Sequence, residues 1–310
     1  MAVTTRAIRS RRTRRPNVAG YFFIAPALAL YLVFNIWPLI RGFLMAFTDY
    51  RFVYEETRWS FNGLANFGEL FHDKDFWGAL GVTIRYLLLV FPVVVVVSLS
   101  LAVLIGKVAR GAGFYRWLVY LPVVLPIAVT FLMFGEVYSY RFGLLNSILR
   151  GVGVTNPPNW LGSTQWTLPA LAAADIWRST GLPTLLFLIG IYGISQDIYD
   201  AAALDGASGW QQFRLITLPL LKPVFALVLL LNLTALPVVT EPMLILTNGG
   251  PQNASLTIGL YAYQVAFQRG DLRLGYAAAM NLVVGLASAA IALGLFRALR
   301  ERPERRSTIA

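Results

Sequence analysis

The chain has 310 residues, 57% hydrophobic and 13% charged, with 26 lysines and arginines against 15 acids and a formal net charge of +11. No soluble domain of this size covers its surface with so few charges, so lipid is the expected solvent. Without cysteine there is no disulfide, thiolate nucleophile or Cys-ligated metal, and one histidine, His72, builds neither a His-based triad nor a His-pair metal site.

Crossing about 30 Å of hydrocarbon takes about 20 helical residues. Apolar stretches of that length fall near residues 18–47, 77–106, 117–140, 167–194, 221–246 and 272–298. The pattern predicts an all-α integral membrane protein with six transmembrane helices and both termini on one side. Residues 1–17 are then a basic tail, 18–298 the transmembrane domain, and 299–310 a second tail. The arginine-rich start looks like a signal-peptide n-region, but the apolar run from Ala19 to Phe47 is too long for an h-region and no clear A-x-A site follows. It reads as a retained helix.

Where the basic residues sit decides what the charge is for. Sixteen lie in the two tails, between the second and third spans (Lys107, Arg110, Arg116) and between the fourth and fifth (Arg214, Lys222), against six in the alternate loops. By the positive-inside bias the termini and the 195–223 loop are expected to be cytoplasmic, with the chain in the cytoplasmic (inner) membrane. The charge is topology, with contact to anionic membrane lipid as a secondary effect and no nucleic-acid partner.

In chain order, Pro26 and Pro38 interrupt the first span, Pro92 the second, Pro122 and Pro126 the third, Pro183 the fourth, and Pro237 and Pro242 the fifth. Neighbouring helices and waters re-satisfy the carbonyls such kinks free. The first outer loop, about 48–76, carries six acids, His72 and the run Phe61 to Phe71, F-N-G-L-A-N-F-G-E-L-F. The second outer loop holds the turn cluster Asn156-Pro157-Pro158-Asn159-Trp160, and the third opens with Thr247-Asn248-Gly249-Gly250-Pro251.

Two stretches carry mechanism. In the fourth span Asp175 and Arg178, three apart, share a helix face with Trp177 between them. Ionised groups inside a membrane are costly and face a bundle interior or a watery cavity. Carboxylate, amide and indole suit a hydroxyl-rich ligand, and a structural ion pair that holds the bundle fits the same two residues. Asn232 lies near the middle of the fifth span, with Leu236 and Val239 following on its side. Asn281, Glu241 and Glu136 are weaker candidates.

The second stretch links the fourth and fifth spans. Ser195 caps a short helix through Leu204, Ala201 and Ala202 permit close approach of another protein, Asp205-Gly206 supplies a turn, and Ser208 with Gln211 forms a capping box for a second short helix. By shape alone an ordinary helical connector fits as well. The run from Asp200 to Pro223 resembles the E-A-A loop of ABC importer permeases, whose pattern is E-A-A, three residues, G, nine residues, then I-x-L-P. Ala201, Ala202, Gly206, Ile216, Leu218 and Pro219 fall in register, and Asp200 stands where the family has Glu. Gly63-Leu64-Ala65-Asn66-Phe67, Tyr115-Arg116 before Leu121-Pro122, the T-N-G-G-P loop and Gly275 to Met280 resemble the maltose-type branch.

That resemblance implies a sugar-importing, binding-protein-dependent permease that works with a second permease subunit, two cytoplasmic ATPase subunits and an extracytoplasmic solute-binding protein. It implies ATPase coupling through Asp200, Ala201, Ala202, Asp205, Gly206, Ile216, Leu218 and Pro219. It also implies a small-molecule solute path through Asp175, Trp177, Arg178, Ser179, Asn232, Leu236 and Val239. Leu236 and Val239 are apolar where several relatives are polar, which leaves the sugar open, and non-sugar importers for polyamines, amino acids or phosphate compounds share the loop. The chain has no G-x(4)-G-K-[ST] phosphate loop. It is therefore expected to be non-catalytic and without cofactor, ATP and Mg²⁺ being bound by the ATPases. A stand-alone secondary transporter would explain the spans and intramembrane charge, but not the loop.

Overall fold

The computed structural model describes residues 18–52, 60–108, 110–234 and 240–299. Among these there is no β-strand, only two isolated bridges, Thr48 with Phe61 and Arg51 with Arg273. Helix α1 (Val18–Tyr31) runs through a π-helical turn (Leu32–Ile36) into α2 (Trp37–Met45). Then come α3 (Ala65–His72), α4 (Lys74–Gly106), α5 (Ala112–Val124), α6 (Ile127–Val137), α7 (Leu144–Gly151), α8 (Thr167–Ser179) and α9 (Gly181–Tyr192). Two short helices, α10 (Gln196–Leu204) and α11 (Gly209–Gln212), lead through a second π-helical turn (Phe213–Thr217) into α12 (Leu218–Leu220) and α13 (Lys222–Thr234). The chain closes with α14 (Glu241–Leu246), α15 (Ile258–Phe267) and α16 (Leu274–Leu299).

Both π-helical turns stand before a proline in the first turn of the next helix, Pro38 and Pro219. Proline donates no N–H and its ring clashes with the carbonyl four residues back; one wider turn absorbs both effects without breaking the rod.

Three of the predicted spans are unbroken apolar helices: Phe22–Met45, Lys74–Gly106 and Leu274–Leu295. The other three are not single rods. Ala112–Val124 and Ile127–Val137 meet at 94°, so the expected third span at 117–140 turns a corner. Its cause is Pro126, which drives the preceding Leu125 out of the helical region to ψ 136°. The fourth, at 167–194, is α8 and α9 joined at Thr180, whose side chain folds back on the Ile176 carbonyl. Gly209–Leu220 and Lys222–Asn232 meet at 61°, opening the fifth. Pro237 lies outside the described residues.

The long helix α4 is the spine. Its buried side chains, Phe76, Ala79, Val82, Tyr86, Val90 and Val94, pack with α8, α15 and α16 through Leu171, Leu260 and Met280. A second cluster at its far end joins Ala102 and Ile105 to Phe187, Leu188, Leu221 and Val228.

The other end is tied by polar groups that the loop sequences supply. Asn66, in G-L-x-N-F, is buried and donates to the carbonyls of Ala46 and Thr48, both at 2.9 Å, closing the end of α2. Gly275 lies against that backbone, and a Cβ there would collide with the Thr48 carbonyl oxygen and come within 3.1 Å of that of Met45. Gly275→Ala should therefore cost about 1 to 3 kcal/mol, read as a lower thermal unfolding midpoint in detergent. An unchanged midpoint would show that the contact yields freely.

Asp73 is the junction of this end. Its Oδ1 caps α4 by accepting from the Asp75 and Phe76 amides, and its Oδ2 accepts from the hydroxyls of Tyr261 and Tyr276, each at 2.7 Å. Burial alone would raise the Asp73 pKa, but these hydroxyls and amides outweigh it and leave it lowered. Glu69 is also lowered, first by its two hydrogen bonds from Arg273, at 2.6 and 2.5 Å. Depressed carboxyls contribute stability that is present above their unfolded pKa, about 4, and lost as pH falls through the folded values. The unfolding midpoint should thus drop as pH falls below about 4, and less steeply in Glu69→Gln. Parallel curves for wild type and variant would remove Glu69 from the account.

Candidate functional site

Two assemblies of side chains go beyond packing. The first is in the membrane-spanning core. Asp175, in α8, has 13% of its side chain exposed and accepts from Arg178 Nε at 3.2 Å, Arg178 Nη2 at 3.0 Å and Ser179 Oγ at 3.0 Å, all on Oδ1. Its Oδ2 accepts from the Tyr86 hydroxyl of α4 at 2.9 Å. Helical spacing brings 175, 178 and 179 together on one face, as the sequence requires. Tyr86 is joined to them only by the α4–α8 contact.

Both carboxylate oxygens thus have protein donors, and the guanidinium keeps 30% exposure, with its Cζ 6.0 Å from the Phe131 ring. The pair therefore holds α8 to α4, while Arg178 is the member with an open side. Trp177 turns elsewhere: its ring meets Phe134 of α6 edge-on at 5.5 Å, and it stays 40% exposed. Asn232 donates to the Val228 carbonyl of its own helix at 2.8 Å, and no hydrogen bond joins it to Asp175 or Arg178. Leu236 and Val239 lie outside the described residues. Tyr86 is the site residue that sequence reading missed; a phenol inside the apolar run Tyr86 to Val97 was its only signal.

The second assembly is the hairpin of α10 and α11. Ser195 caps α10, accepting from the Asp197 amide, and Ser208 with Gln211 forms a reciprocal capping box at α11. Between them Asp205 is the C-cap and Gly206 turns the chain at φ +80°, in the left-handed region that glycine enters most freely. Tyr199 and Thr217 share a hydrogen bond of 2.8 Å that ties α10 to the π-helical turn containing Ile216.

The hairpin faces outward. Asp200, Ala201, Asp205 and Gly206 are exposed, and Ala202 is half-buried. Around them Leu204 is 90% exposed, Trp210 67% and Leu215 68%. Pro219 and Leu218 lie in α12, half-buried, where the chain turns toward α13. Large apolar side chains thus stand exposed beside capped, charged helix ends.

The sequence pattern of binding-protein-dependent transport system inner membrane components matches residues 86–305, which contain both assemblies. The chain belongs to that family. Among its relatives, the trehalose/maltose transport system permease protein of Thermococcus litoralis is 34% identical over 93% of this chain and 97% of that protein. The lactose transport system permease protein of Rhizobium radiobacter is 30% identical over 97% of this chain and 100% of that one. A solved bacterial ABC transporter that imports the acidic polysaccharide alginate shares the fold, with a TM-score of 0.76 and 25% identity over 91% of this chain and 95% of that one. A second alginate transporter structure, in complex with a pentasaccharide-bound periplasmic protein, superposes with a TM-score of 0.78 and 25% identity, over 92% of this chain and 94% of that one. The permease is thus a membrane-spanning transport subunit.

Proposed function

We propose that this permease forms, with a second permease subunit, the translocation path of an ATP-driven importer for a sugar or sugar-like solute delivered by an extracytoplasmic binding protein. The observation that carries the coupling half is the α10–α11 hairpin: a rigid, doubly capped element exposing Leu204, Trp210 and Leu215 on a chain with no phosphate loop. The hairpin docks on one of two cytoplasmic ATPase subunits, which bind ATP and Mg²⁺. Their closure moves it as a unit, a contact that differs between two states as coupling requires. Termini and hairpin are cytoplasmic in this reading, supported by the basic residues Lys107, Arg110, Arg116, Arg214, Lys222 and Arg297 at the matching helix ends. The six crossings of this reading are the three unbroken helices, the bent pair α5–α6, the joined helices α8 and α9, and the stretch that α13 opens.

Relatives named for trehalose/maltose, lactose and diacetylchitobiose support the sugar half of the reading. The open side of Arg178, the half-buried Ser179 and Asn232, and the indole of Trp177 supply donors, an acceptor and an aromatic face for hydroxyl-rich rings. Leu236 and Val239 complete the path by sequence position. The first span, with no side chain buried over its apolar window, leaves an exposed face for the second permease.

Purified alone in liposomes, the chain should neither hydrolyse ATP nor take up solute. Adding the ATPases, the second permease and the loaded binding protein should restore both. Nucleotide-dependent sugar uptake by the chain without any ATPase would sink the proposal.

A further inference from the structure

Between α15 and α16, beside the start of α14, lies a cavity of about 370 Å³, within the size range of small-molecule sites. Ala262, Ala266 and Ala277, all buried, line it, and their small side chains leave the space open. Thr240, Tyr263, Phe267 and Asn281 line it as well. Tyr263 and Phe267, four residues apart on one face of α15, are 37% and 61% exposed, and their ring centroids lie 5.4 Å apart. Two aromatic rings and three polar side chains thus border an otherwise apolar hollow.

Those polar side chains have no partner. Asn281 stands seven residues into α16, about 10 Å from that helix's start and inside its apolar span. Among the described residues its amide, the Tyr263 hydroxyl and the Thr240 hydroxyl take part in no side-chain hydrogen bond. Three such groups in one place are costly beside hydrocarbon, which offers neither donor nor acceptor. Asn281 also borders a groove that includes Leu39, Phe43, Leu282 and Leu286, where no other side chain is polar. Only on the Tyr263 side can a bound molecule bridge the amide to other hydrogen-bonding groups.

We infer that this cavity is a further solute subsite of the translocation path and takes a neutral, hydroxyl-rich ring. The Asn281 carboxamide both donates and accepts, the Tyr263 and Thr240 hydroxyls do the same, and the aromatic pair covers the ring's apolar face. No charged side chain lines the cavity among the described residues, so it favours a neutral sugar over a uronate. The path proposed above leads toward it. Helix α13, which carries Asn232, packs along α16, and Thr240 directly follows Val239 in the chain. The inference rests on the sugar-importer reading and adds α15 and α16 to a path otherwise drawn along α8 and α13.

The test uses the importer assembled in liposomes with its second permease, ATPases and binding protein, and maltose, trehalose and lactose as probes. The chain has no cysteine, so Asn281→Cys gives this subunit a single thiol without breaking a hydrogen bond. A water-soluble maleimide should label that thiol, and adding the transported sugar to binding protein and ATP should slow the labelling at least fivefold. Leu286→Cys, in the apolar groove, should label at least tenfold more slowly. Asn281→Ala should raise the KM for the transported sugar at least threefold, with stimulated ATPase activity within twofold of wild type, and Asn281→Gln should recover most of the loss. Labelling at 281 that the sugar does not slow, or a wild-type KM in Asn281→Ala, overturns the subsite. Loss of the second permease when Asn281→Ala is purified also overturns it and makes Asn281 a contact between subunits. Failure of the wild-type importer to take up any probe overturns the sugar reading itself, and the neutral-ring subsite with it.

Discussion

Asp175→Ala should lower both the unfolding midpoint in detergent and solute uptake by the assembled importer more than any other single change in the transmembrane core. The carboxylate accepts four hydrogen bonds, from Tyr86, Ser179 and twice from Arg178. Removing it leaves a phenol that is 1% exposed without its partner and a guanidinium without its counter-charge. Breaking such a buried pair costs about 3 kcal/mol, the low end of the usual range because Arg178 stays 30% exposed. Tyr86→Phe should cost about 1.5 to 3 kcal/mol, since a hydrogen bond to a charged group is lost while the ring still packs.

Exchanging the two charges, Asp175→Arg with Arg178→Asp, tells less than a simple ion pair would suggest. Arginine at 175 is too long for a site that reaches Tyr86 at 2.9 Å, so the exchange fails whether or not solute touches the pair. A cleaner separation keeps both charges. If the pair is only structural, Tyr86→Phe and Ser179→Ala should lower uptake in step with stability, with KM unchanged. If Arg178 and Ser179 line the path, Ser179→Ala and Asn232→Ala should both raise the KM for uptake, Asn232→Ala with an unfolding midpoint close to that of wild type. We expect the second pattern. Wild-type KM in both Ser179→Ala and Asn232→Ala would take these residues out of the path.

The second large effect is expected at Gly206. Its φ of +80° lies far from the roughly −65° that proline imposes, and its amide donates to the Ala203 carbonyl at 3.0 Å, a bond proline cannot make. Gly206→Pro should therefore rebuild the hairpin turn and cut solute-stimulated ATPase activity of the assembled importer at least tenfold, while the transmembrane helices stay inserted. Gly206→Ala is the informative partner, because a Cβ there meets nothing within 4 Å and the cost is only the left-handed backbone, about 1 to 2 kcal/mol. Ala201→Trp, which adds bulk to an exposed position without disturbing the turn, should uncouple as Gly206→Pro does. Normal stimulated ATPase and uptake in both Gly206→Pro and Ala201→Trp would mean that the hairpin is not where the ATPase docks.

Local rules carried a long way here. Ser195, Gly206 and the Ser208–Gln211 box are readable because capping and a left-handed turn depend on residues within three or four positions, and the structure places each as its residue type requires. The pairing of Asp175 with Arg178 and Ser179 is legible for the same reason, being fixed by 3.6 residues per turn. The apolar runs, long enough for bilayer crossing, and the all-helical class follow from composition and length. What the sequence alone did not decide is how far each run stays straight. Pro92 passes inside a 33-residue helix, whereas Pro126 turns the chain by 94°. Proline removes the same donor in both places, and only the packing around each settles whether the helix survives. Nor did it reveal that Tyr86 completes the Asp175 site across 89 residues, or that Tyr261 and Tyr276 converge on Asp73. A phenol's partner is chosen by which helices lie side by side. That is a property of the tertiary fold, because no local rule links residues so far apart in the chain.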